Sequence, residues 1–273
     1  MRKRILLAIL LCGVVLGACA CRDKADVDSK GNNKQEQEVV KSDEEIRNEV
    51  VTANPAAAIY NFSAVPKVER TLKGEDDQVY VSVFLKEPVV SAPERAFKDA
   101  KKKIEAVLKG QLDLYDSIAT AMMDGYDISG DFKPVWKIET DYTVKRNDSK
   151  VLSILQQVYI DQGNGATFMN SALNFDAMTG DLIDQVFFTE GDAEEREAME
   201  ALLNKKLTEK YPYSEISART SYIDDALNGW YFTSDGIVVF YNAEIIAPAT
   251  EGEFEITLSK DELADFAKGY FIN

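Results

Sequence analysis

The chain has 273 residues, 45% of them hydrophobic and 29% charged, with a formal net charge of −16 at neutral pH. That length suffices for one or two ordinary domains with a full apolar core, and so acidic a surface repels nucleic acid and anionic bilayers. The sequence contains no histidine and no Ser-x-x-Lys, which removes Ser-His-Asp and Cys-His nucleophiles, His-ligated zinc, HExxH peptidase helices and serine–lysine acylases.

The N-terminus reads as an address. Arg2, Lys3 and Arg4 form a basic n-region, residues 5–16 are apolar, and Leu16-Gly17-Ala18-Cys19 is a box of small residues ending in cysteine. An apolar run this short is below the ~20 residues a membrane-spanning helix needs. Residues 1–18 are therefore expected to be a bacterial lipoprotein signal. Cys19 is expected to be acylated, anchoring the protein by lipid in the extracytoplasmic cell envelope. Losing Arg2, Lys3 and Arg4 takes the charge from −16 to −19. The three cysteines, Cys12, Cys19 and Cys21, all lie in or beside this segment, so the folded part is expected to hold no disulfide and no Cys metal site. Residues 19–45 are polar and are expected to form a disordered tether.

A first α+β unit is expected over 46–181. Val79, Val81, Val83 and Leu85 alternate with Tyr80, Ser82 and Phe84 as a strand. Ser91-Ala-Pro-Glu94 reads as a capping box with proline in the first turn. Behind it, Phe97, Ala100, Ile104, Val107, Leu108, Tyr115, Ile118 and Met122 sit at helical spacing, with Gly110 as a point of kinking. Trp136, Ile138, Thr140, Tyr142 and Val144 form the inward phase of a one-sided antiparallel strand. The turn Asn147-Asp-Ser149, a returning strand over 151–161 and a third strand over 168–176 complete a three-stranded meander.

A second unit is expected over 182–273. Asp192 caps a helix bearing Met199, Leu202, Leu203, Leu207 and Tyr211 on one face. Strands over 230–233 and 237–241 flank Ser234-Asp-Gly236 as a hairpin. A strand over 253–258 leads to Ser259-Lys-Asp-Glu262, a capping box that opens a final helix with Leu263, Phe266 and Ala267. The fold class is α+β: antiparallel sheets, a meander and then a hairpin plus strand, with amphipathic helices packed on them.

Three stretches carry a family resemblance. The first is Gly163-Asn-Gly-Ala-Thr167 leading to Leu173-Asn-Phe-Asp-Ala-Met-Thr-Gly180 and Val186-Phe-Phe188; the others are Gly236-Ile-Val-Val-Phe-Tyr241, and Glu244-Ile-Ile-Ala-Pro248 with Gly252. In that order they resemble the extracellular module of RsiV-type lysozyme-sensing anti-sigma factors and PdaC-type peptidoglycan deacetylases (domain-of-unknown-function families 3298 and 4163). The likeness runs from about Val65 onward. It departs at Thr167, where members often carry histidine, and at Ala249, where an aromatic is common. Taken with the N-terminal signal, the missing catalytic machinery and the acidic charge, it leads to the expectation of a stand-alone lipoprotein carrying a non-enzymatic binding module, with lysozyme or another cationic protein as partner. A peptidoglycan-binding module is the alternative, and a carboxylate-based envelope enzyme the least favoured reading. No cofactor or metal is expected.

The candidate binding residues follow from chemistry and position. Asn164 and Thr167 lie in one polar loop, and Asp224 and Asp225 in an acidic one. Trp230 and Tyr241, beside Tyr231 and Phe240, offer an aromatic platform. Glu244 is a carboxylate within an apolar segment, and such a group is paired, exposed or functional.

Overall fold

A computed structural model describes residues 41–92, 95–129, 134–183, 193–212, 214, 216, 228–263 and 270–271. Cys19, the signal and most of the tether lie outside these residues, as do Pro93, Glu94, 186–188, Asp192, Asp224, Asp225, Phe266 and Ala267. Ser42–Asn273 forms one compact unit, and the expected boundary at 181/182 falls between its two sheets.

Helix α1 (Asp43–Ala53) starts slightly before the expected edge of the fold because Ser42 and Glu45 cap it reciprocally. The Ser42 backbone N–H donates to Glu45 at 2.7 Å and Glu45 N–H donates to the Ser42 hydroxyl at 3.2 Å. Arg47 donates to the Ala96 carbonyl at 3.0 Å and ties the helix to the body.

The larger sheet has the order β1-β2-β3-β4-β5. Strand β1 (Asn61–Lys73) pairs antiparallel with β2 (Val79–Ser91). The expected alternation of β2 is present, with Val81, Val83 and Leu85 at most 2% exposed. A 3-10 turn over Arg95–Phe97 follows, and α2 (Lys98–Gly125) starts after Phe97 without any side-chain cap. The helix thus begins later than the expected capping box, because Ser91 is still the last residue of β2. It runs unbroken through Gly110. Ala100, Ile104, Leu108, Leu112, Tyr115, Ala119 and Met122, spaced by three or four, make its buried stripe.

Helix α2 returns the chain to β3 (Trp136–Asn147), which pairs parallel with β2 over Val81–Leu85. The larger sheet is thus mixed, antiparallel but for this one pairing: a long helical crossover brings β3 in alongside β2 in the same direction. From there the meander stands as expected, through β4 (Val151–Asp161) and β5 (Ala166–Asp176), both pairings antiparallel. The turn after β5 holds Gly180 at φ 73°, where a Cβ would stand 2.2 Å from the Ala100 carbonyl oxygen of α2.

The second sheet is β6 (Asn228–Phe232), β7 (Gly236–Tyr241) and β8 (Phe254–Ser259), antiparallel in that order. Helix α3 (Ala193–Lys210) packs on one face through Met199, Leu203 and Leu207, against Trp230, Phe232, Val239, Ile256 and Leu258. The opposite face lies on the larger sheet, where Tyr231, Val238 and Phe240 meet Leu155. All six residues of β7 are therefore buried. Ser259 and Glu262 form the expected capping box at the start of α4 (Lys260–Leu263).

A buried charge knits the two sheets. A bulge after Val144 turns Arg146 inward. Its Nε donates to Asp148 at 2.6 Å, Nη2 to the Tyr270 carbonyl at 2.6 Å and Nη1 to that of Thr233 at 3.4 Å. The guanidinium lies 5.7 Å from the Phe232 ring and 5.3 Å from that of Phe271. Asp148 also accepts from the backbone of Lys150 and Val151.

Candidate functional site

Strand periodicity divides β4 cleanly. Leu152, Ile154 and Val158 face α2, while Ser153 and Leu155 face the second sheet. The smaller sheet does not reach the far end of that outer face. There Gln157 and Tyr159, continuing the phase of Leu155, line an open cleft of about 780 Å³.

Two adjacent cross-strand rungs make its floor. One runs Phe84, Glu139, Tyr159, Phe168, each residue opposite the next. The other runs Asp141, Gln157, Asn170, with Lys86 beside Asp141 at 2.7 Å. The first rung is aromatic: Tyr159 and Phe168 meet edge to face with centroids 4.9 Å apart, and Phe168 is 59% exposed. Lys137 pairs with Glu139 at 2.9 Å and holds its ammonium 5.3 Å from the Tyr159 ring centroid.

The wall is the loop after β7, contributing Ala243, Glu244, Gly252 and Glu253. Asn242 stitches it to β5 by accepting from Asn170 N–H at 2.7 Å and donating to the Asn170 carbonyl at 3.0 Å. It thereby occupies the edge of β5 as a neighbouring strand would. The Asn170 side chain donates to Glu253 at 2.8 Å. Loss of surrounding water pushes the Glu253 carboxyl above its ordinary value, the Asn170 bond opposes this, and Glu255 adds to the rise. Glu244 is exposed, with φ 69°, a left-handed conformation uncommon outside glycine.

The cleft unites two of the residues expected from sequence, Thr167 and Glu244. Asn164 is exposed at the β4–β5 turn and lies outside the cleft lining. Trp230 and Tyr241 are corrected: at 3% and 0% exposure they belong to the core under α3. Tyr231 and Phe240 are equally enclosed, between the sheets, so no platform exists there. Sequence reasoning missed Phe84, Tyr159, Phe168, Gln157, Asn170 and Glu253. A signal was present, since Tyr159 and Phe168 stand in the outward phase of strands whose next outward residues are Gln157 and Asn170. Aromatics in a polar phase are the ones left for a partner.

Chemically, the site offers three aromatic faces, two amides and four carboxylates against one lining lysine. Asp141 and Glu139 already hold Lys86 and Lys137. Glu244 and Glu253 have no cationic partner among the described residues. Those residues also contain no group of three or more His, Cys, Asp or Glu placed to hold a metal ion, and no helix long and apolar enough to cross a membrane.

Residues 186–261 match a family model described as protein of unknown function (DUF3298). No curated protein matches the chain. Among solved structures, a DUF3298 member from Bacteroides fragilis aligns over 76% of this chain and 93% of its own, at 14% identity and a TM-score of 0.54. A DUF3298 protein from Pseudomonas aeruginosa aligns over 77% and 94%, at 14% identity and a TM-score of 0.45. The Bacteroides likeness is one of fold.

Proposed function

We propose that this protein is a non-catalytic binding module of the bacterial cell envelope, anchored through lipid on Cys19, that captures a cationic protein. The observation that carries this reading is the cleft, where carboxylates outnumber the lysine and surround aromatic rings of which Phe168 is exposed. A formal charge of −16 adds long-range attraction for a basic partner, which speeds encounter and makes binding fall with salt. The resemblance to the RsiV-type module makes lysozyme the first partner to try. Titration calorimetry with lysozyme at low and physiological salt tests it. Binding that weakens with salt yet persists supports capture, and an absence of binding to lysozyme and other basic proteins overturns it.

A peptidoglycan-binding module is the second reading, favoured by one feature: Tyr159 and Phe168 beside Gln157 and Asn170 pair apolar faces with amides, as a sugar ring and its hydroxyls require. Retention on purified peptidoglycan that is lost on Phe168→Ala, without lysozyme binding, would select it.

A further inference from the structure

Resting on the capture reading, we infer that the cleft receives an arginine-bearing segment of the partner, one guanidinium lying on the Phe168–Tyr159 pair and turned toward Glu244 and Glu253. The occupant must be cationic, because the two wall carboxylates lack a cationic partner among the described residues while those of the floor are already matched to lysines. It must also offer an apolar or planar surface. Phe168 is the most exposed large hydrophobic residue described, and it stands in the wall-side strand of the floor.

The sheet itself shows that these rings accept cations, since Lys137 already sits over Tyr159. Arginine meets both demands better than lysine. Its guanidinium is planar, weakly hydrated and able to stack on a ring while its N–H fork reaches carboxylates, whereas an ammonium is a compact, strongly hydrated point charge. Asn170 occupies Oε2 of Glu253 and orients that carboxylate, leaving Oε1 to accept from the fork. A volume of about 780 Å³ exceeds one side chain, so flanking backbone enters as well.

The test uses the full chain in mild detergent with two probes of equal charge, octa-arginine and octa-lysine, titrated at physiological salt. Octa-arginine is expected to bind about fivefold tighter, the scale of one aromatic–guanidinium contact. Phe168→Ala, at an exposed position, is expected to erase that preference while leaving the thermal transition in place. Glu244→Gln is expected to weaken both probes. Equal binding of the two peptides, or a preference that survives Phe168→Ala, overturns the arginine site and leaves salt-sensitive lysozyme capture standing. If neither peptide nor lysozyme binds, the capture reading falls with it. Binding of a neutral N-acetylglucosamine tetramer that Phe168→Ala abolishes, with no peptide binding, overturns both in favour of a glycan.

Discussion

Replacing Arg146 with alanine cuts the tie between the two sheets, and its cost can be worked from the contacts. The Arg146 and Asp148 side chains are 4% and 10% exposed. Removing one partner of a buried ion pair costs about 3–5 kcal/mol, most of it the penalty of leaving the other charge without compensation. Asp148 keeps its bonds from Lys150 and Val151 at 2.8 and 3.0 Å, which places the charge penalty at the lower end. The substitution also removes the bond to the Tyr270 carbonyl and strips the stack from Phe232 and Phe271. A net loss of about 3 kcal/mol lowers Tm by roughly 6–12 °C in a unit of this size. Thermal unfolding followed by circular dichroism, on Arg146→Ala, Asp148→Asn and the double variant, measures it. The two losses should be non-additive by about 1–3 kcal/mol. A fall in Tm below about 2 °C for Arg146→Ala, or simple additivity, would refute the assignment of a coupled buried pair.

Three further outcomes follow from the packing. Trp230→Ala should destabilise by about 3–5 kcal/mol through the cavity it leaves against α3, read as a lower urea midpoint, with no selective loss of ligand in whatever folds. Gly180→Ala should lower Tm by several degrees, on the order of 2 kcal/mol or more, because the position needs positive φ and a Cβ there meets the α2 backbone. The third concerns Glu262, whose carboxyl is held down at about 2 by Lys206, 2.6 Å away, and then by the Ser259 N–H. A lowered folded-state value stabilises above the ordinary range and loses that contribution on acidification. The stability gap between wild type and Glu262→Gln should therefore be full above about pH 5, shrink as pH falls, and close near about pH 2, as denaturant midpoints across that range would show.

Much of the strand framework was legible because alternation and turn chemistry agree. Asn147-Asp-Ser149 and Ser234-Asp-Gly236 sit between runs of the right period, and both hairpins form there. Strand β1 escaped notice for a physical reason. As an edge strand its inward phase is Phe62, Ala64, Val68, Arg70 and Leu72, interrupted by Pro66 and a bulge, and no residue in it is fully buried. The parallel pairing of β2 and β3 was equally hidden, since a period of two reports which face is covered and not which way a neighbour runs. The aromatic residues taught the same lesson for the site. Trp230 and Tyr241 looked like a platform, but a strand sandwiched between helix and sheet buries both phases, as β7 does. Tyr159 and Phe168 passed unremarked within their strands, yet Phe168 is exposed and Tyr159 half-buried against it.

The parallel seam between β2 and β3 has a kinetic consequence. It holds five register pairs, Val81–Leu85 with Trp136–Thr140, whereas the β4–β5 ladder is paired along its whole length. The β1–β2 hairpin and the β3–β4–β5 meander close over short loops and can form early. Their union must await the intervening twenty-eight-residue helix, so it carries the larger loop-closure entropy. Yet the connection that delays the union also clasps it. Leu112, Tyr115, Ala119 and Met122 of α2 share one cluster with Val81 and Val83 on one side of the seam and Ile138 and Val158 on the other. Pulled apart, the molecule would have to surrender that whole stripe along with five rungs of backbone, which turns the thinnest ladder of the larger sheet into a joint that closes late and opens reluctantly.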